Sequence, residues 1–140
     1  MEGVSLLMGQ DHEGRLPLHY AASVNKADQA RARHAAGDDP NHGDREGFTA
    51  LHLAAQEGSL DAAPALLDGG ADVDPVNTFG NTPLFVAVFH FKGQGEMTVL
   101  LRSAGADPFR SNKNGQTPVD LARLIGNHDV AQFFADLLSP

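Results

Sequence analysis

Seven histidines and no cysteine set the chemistry that this 140-residue chain could attempt. Without thiols, disulfides and thiolate metal sites are excluded, and a nucleophile would have to be serine or threonine. Histidine mixes with carboxylates twice, in DHEG from Asp11 to Gly14 and in NHGDRE from Asn41 to Glu46. Such clusters could hold a divalent metal or carry general acid–base hydrolysis. Neither has the i, i+4 histidine spacing with which H-E-x-x-H puts two ligands on one helix face. KGQGE, residues 92–96, lacks both a preceding strand and the following Lys-Ser/Thr of a phosphate loop, and no G-x-S-x-G occurs. The serines, at 5, 23, 59, 103, 111 and 139, stand in no triad-like context. The reading is no enzyme, with no catalytic residue, no metal and no cofactor. Its rival is a metal-dependent or hydrolytic activity using the His, Asp and Glu residues of those two clusters, and it predicts stoichiometric divalent metal in purified protein.

Two other histidines belong to a larger pattern. His19 and His52 lie 33 residues apart, in LPLHYAA and TALHLAA. Around them Gly14, Gly47, Gly80 and Gly115 recur at intervals of 33, 33 and 35, and the residues three positions on are Pro17, Ala50, Pro83 and Pro118. The units open on Asp11, Asp44, Asn77 and Asn112, and three of them close on a glycine, at Gly37, Gly70 and Gly105. This divides one domain, 1–140, into a cap segment 1–10 and repeats 11–43, 44–76, 77–111 and 112–138. Each unit reads as turn, helix, helix, loop. Asp/Asn-x-x-Gly is turn chemistry, Thr-Pro starts a helix, and a glycine ends the second helix. Helices this short are marginal alone in water, so each pair must bury its apolar face on the next. The repetition is the means of stability.

The period and the runs TALHLAA, LPLHYAA, NTPLF and QTPVDLA closely resemble the ankyrin repeat over residues 11–138. That resemblance implies an all-α solenoid of about four helix-turn-helix units with hairpin-like finger loops. It implies that His19 and His52 are structural, about one helix-packing distance (~10 Å) apart and too far to share a zinc ion. Phe85 and Asp120 replace them in the later units, so their network should fade toward the C-terminus. It also implies a non-catalytic module that grips a protein partner with its finger tips and a concave face of first helices. Carried onto this chain, that face comprises Arg45, Glu46, Phe48, Gln56 and Glu57 from the second unit. The third supplies Thr78, Phe79, Asn81, Phe89 and His90, and the last Lys113 and Asn114. Phenylalanine at 48, 79 and 89 is unusual for idle surface and marks an interaction patch, with Arg45, Glu46 and Glu57 as its polar rim.

Charge narrows the partner. The net charge is −8, and all of it falls in residues 1–76, which hold thirteen acidic and five basic side chains. Duplex nucleic acid is disfavoured and a basic protein partner favoured. The absence of cysteine suggests a reducing cytoplasm, and with no run of 18 apolar residues and no signal-peptide pattern no membrane partner is expected; the free chain is expected to be a monomer. A freestanding module of this composition suggests a stoichiometric inhibitor more than a scaffold. The specific form is a bacterial immunity protein that neutralises a co-encoded toxin.

The pattern bends in places. Ala27, Arg33 and His34 replace the apolar residues of the next unit's second helix, as suits a polar stack end. Val4, Leu6 and Leu7 are expected to cover the first repeat. Pro64 falls near the start of a second helix and should face outward. The third unit is longer by two residues, around Gly93 and Gly95 and beside Phe91. Phe133, Phe134 and Leu137 should seal the far end.

Overall fold

The computed structural model describes residues 10–90, 95–125 and 131–138. Val4, Leu6, Leu7, Phe91 and Gly93 lie outside that set. Among the described residues the regular elements are all helices, with no strand.

Each of the four turns is built the same way. The Oδ1 atoms of Asp11, Asp44, Asn77 and Asn112 each accept the backbone N–H groups two and four residues on, at 2.9–3.0 Å. Adjacent fingers are then tied together by backbone. Arg45 N–H donates to the Glu13 carbonyl at 2.8 Å, Thr78 to Glu46 at 2.9 Å and Lys113 to Phe79 at 3.1 Å. This ladder explains two glycines. Gly47 and Gly80 have φ of +80° and +79°, and a Cβ would come within 2.9 Å of Asn77 Cα and 2.8 Å of Lys113 N respectively. Gly115 has a similar φ, +78°, but nothing within 4 Å, since among the described residues no further finger is tied to it. Gly80→Ala should therefore cost more than Gly115→Ala, which bears only the backbone strain of about 1 kcal/mol or more. Urea unfolding of the two variants measures the difference.

The helices come in pairs. α1 is Pro17–Ser23, α2 Ala27–Ala35, α3 Ala50–Glu57, α4 Ala62–Asp68, α5 Pro83–Phe89, α6 Glu96–Ser103 and α7 Pro118–Ile125. A 3-10 turn, Gln132–Phe134, leads into α8, Ala135–Leu138. Thr49 and Thr82 start α3 and α5, their hydroxyls accepting the His52 and Phe85 N–H groups. The first helices pack in series, α1 on α3, α3 on α5 and α5 on α7, and α1, α3 and α5 are each backed by their own second helix, α2, α4 and α6. An element enclosed on so many sides should be apolar nearly all round. In α3 every residue from Ala50 to Ala55 is buried, and in α5 every residue from Pro83 to Val88.

The departures from the repeat have plain causes. In α2 only Ala30 is buried, and Arg33 folds back on Asp38 at 3.0 Å. Asp38 also accepts the Leu18 N–H, so polar contacts hold this helix where leucines hold α4. Asn25, at φ +60°, joins α1 to α2; its Oδ1 accepts the N–H groups of Asp61 and Ala62 and so caps the next unit's second helix. Pro64 is the third residue of α4 and exposed, in the first turn where an N–H has no helical acceptor anyway. At the C-terminal end Phe134 is fully buried, Phe133 lies against Gly95, and Arg102 clamps Asp136 with two bonds of 2.9 Å.

A candidate binding cleft between two fingers

Two buried imidazoles hold the fingers to the inner helices. His52 accepts the Thr49 N–H at Nδ1 (3.1 Å), which leaves its proton on Nε2 to donate to the Asn81 carbonyl at 2.8 Å. His19 repeats this one unit earlier, accepting the Leu16 N–H at 2.9 Å and donating to the Phe48 carbonyl at 3.0 Å. Both rings work only when neutral. Burial pushes the His52 pKa down to about 4, against the carbonyl bond and the more distant Asp44 charge, which favour the cation. His19 is lowered for the same reason. The series stops at Phe85 and Asp120, as the sequence suggests. Asp120 instead exchanges bonds with Thr117 to cap α7.

By fixing Phe48 and Asn81, these histidines shape a hollow of about 210 Å³ between the second and third fingers. Phe48 ends one finger, Phe79 tips the other, and Phe89 and His90 close the C-terminal end of α5. Its remaining wall is Gln56 of α3, Phe85 and Val86 of α5, and Asn77 and Asn81. Phe79 is 53% exposed and Phe89 63%, so neither is serving as core. Phe89 meets His90 edge to face, with centroids 5.1 Å apart, and Phe48 meets His52 in the same manner at 5.5 Å.

Six of the residues chosen from sequence converge here: Phe48, Gln56, Phe79, Asn81, Phe89 and His90. Arg45, Glu46, Glu57, Thr78, Lys113 and Asn114 do not line the hollow. They are exposed, with Glu57 receiving the Gln56 amide at 3.1 Å and the others on the finger tips. Sequence reasoning missed Asn77, which it treated only as a turn opener, Phe85, which it treated only as a replacement for the repeat histidine, and Val86, which it did not single out. A larger hollow of about 620 Å³ runs beside the second helices, but Asn25, Lys26, Asp28, Arg31 and Asp61 make it polar. Among the described residues no three His, Asp or Glu side chains are grouped to hold a metal ion. No helix among them is long and apolar enough to cross a membrane.

Residues 18–112 match a family model for ankyrin repeats in three copies. Among curated proteins, the human ARF GTPase-activating protein GIT2 is 43% identical over 58 residues, 41% of this chain and 7% of that protein. Human ARF GTPase-activating protein GIT1 is 45% identical over 53 residues, 38% of this chain and again 7% of the relative. The likeness to both is therefore confined to a small fraction of their length.

Proposed function

The chain belongs to the ankyrin repeat family, a family of protein-interaction modules, and from that premise we propose that it binds a protein partner without catalysis through the cleft at Phe48, Phe79, Phe89 and His90. One observation carries the proposal: four phenylalanines line a single hollow while two of them, Phe79 and Phe89, stay more than half exposed. Idle surface does not favour such a cluster, and buried aromatics dominate the energy of interfaces. The module comprises repeats 11–43, 44–76, 77–111 and 112–138, preceded by the segment 1–10. Arg45, Glu46, Glu57, Thr78, Lys113 and Asn114 form the polar surround, which sets approach rate and salt dependence more than affinity. The net charge of −8 favours a basic partner. The finer form of the proposal is a stoichiometric inhibitor in the cytoplasm, of which an immunity protein against a toxin is the most specific version.

A pull-down from native lysate tests it, with the wild-type chain run beside a Phe79→Ala/Phe89→Ala double variant. One basic protein held at near-equal stoichiometry and lost with the variant is the expected result. Equal capture by both baits, with the variant folded, would place the interface elsewhere.

A further inference from the structure

The cleft contains one polar atom that the fold leaves without a partner. Asn77 is 4% exposed, and its Nδ2 is a buried nitrogen with no hydrogen-bond acceptor. The orientation of the amide is determined by its neighbours. Two backbone N–H groups, of Phe79 and Asn81, point at the other atom, which must be the oxygen. The adjacent fingers show why the nitrogen is stranded. At the same place Asp44 Oδ2 is met by Arg15 at 3.1 Å, and Asn112 Nδ2 is met by Asn81 Oδ1 at 2.9 Å. Arg15, Phe48 and Asn81 are equivalent positions, each following the finger glycine by one residue. Phe48 stands where a polar side chain should answer Asn77. The unanswered donor is thereby directed at a wall of the cleft.

A buried donor without an acceptor is costly to keep, and that cost is recovered when a ligand brings the missing oxygen. The surroundings define which oxygen. Phe48, Phe79, Phe85, Val86 and Phe89 suit a ring, against which they can pack edge to face. A carboxylate is disfavoured, because among the described residues no Lys or Arg lines the cleft and Glu57 is hydrogen-bonded to its Gln56. At about 210 Å³ the space is below the ~300–1,000 Å³ of small-molecule sites and suits one side chain. Resting on the binding face proposed above, we propose that the cleft receives one tyrosine side chain of the protein partner. The ring sits among the phenylalanines, and the phenolic oxygen accepts a hydrogen bond from Asn77 Nδ2. Since that nitrogen is closed to water in the free protein, the half-buried Phe48 ring gives way as the tyrosine enters.

N-acetyl-tyrosinamide and N-acetyl-phenylalaninamide, which differ by the hydroxyl alone, are the probes. Each is titrated into isotope-labelled full-length protein and followed by NMR. The tyrosine probe should shift the Asn77 side-chain amide and the signals of Phe48, Phe79 and Phe89, and bind about fivefold more tightly than the phenylalanine probe. Asn77→Thr should abolish that preference. The threonine hydroxyl can still accept the two turn N–H groups, while its methyl group offers the phenol neither donor nor acceptor. Equal affinity of the two probes, or a preference that survives Asn77→Thr, overturns the tyrosine assignment and leaves the binding face standing. Silence of Phe79 and Phe89 toward both probes overturns the two together.

Discussion

Acidifying the protein from pH 7 to pH 5 is expected to remove about 2 kcal/mol of folding stability through His52 alone, rising to about 3 kcal/mol near pH 4. The direction follows from which state binds the proton first. Unfolded, the imidazole titrates near its ordinary 6.5; folded, burial holds it down to about 4. Above 6.5 both states are neutral and the contribution is complete. As the pH falls from 6.5 toward 4 the unfolded chain takes up the proton and the folded one does not, so stability is lost across that window. The structural meaning is direct: a proton on Nδ1 would face the Thr49 N–H that this atom now accepts. His19 is shifted the same way and adds to the loss. Burial raises Asp74, which gains slightly on acidification and opposes the trend. Against a total of about 5–15 kcal/mol the net loss is large. Urea unfolding across the pH range measures it, and His52→Phe should flatten the dependence, since Phe85 already fills the equivalent place in the third unit. A folded-state His52 that titrates near 6.5 by NMR would remove the basis of this prediction.

That contrast between His52 and Phe85 shows what the sequence could reveal. The period, the Asp/Asn-x-x-Gly turns and the Thr-Pro starts are local features that each repeat declares by itself, so the all-α stack was legible. So was the exposure of Phe79 and Phe89, because their places in the repeat face outward in every unit. The amide of Asn77 was not. Asn77 looks satisfied as a turn opener, and its Oδ1 is; only the register between fingers places its Nδ2 against residue 48. The clue was present in the aligned series Arg15, Phe48, Asn81, but reading it requires knowing which atom of one unit meets which position of the preceding one. Asn25 is hidden for the same reason, since its carbonyl caps a helix 36 residues away.

The division between core and binding face yields the other large effect. Leu66 is 2% exposed and sits in the core cluster, on a helix that packs against both α2 of the preceding unit and α3 of its own. Leu66→Ala should cost about 2–5 kcal/mol, because the rigid helices around it cannot close the cavity. The loss falls on the interface between the first two units, where α2 has only Ala30 buried and little apolar surface in reserve. In a stack whose units are stabilised mainly by their neighbours, weakening that interface should release the first unit before the rest. Hydrogen exchange in α1 and α2 would then rise ahead of that in α5. Phe89 stands in the opposite position, 63% exposed with its ring on His90, so Phe89→Ala should cost less than about 1 kcal/mol of stability while weakening capture of the partner. Thermal melting of the two variants side by side separates the roles. If Phe89→Ala melts as early as Leu66→Ala, the aromatic cluster is packing for the stack, and the binding face must lie on other residues.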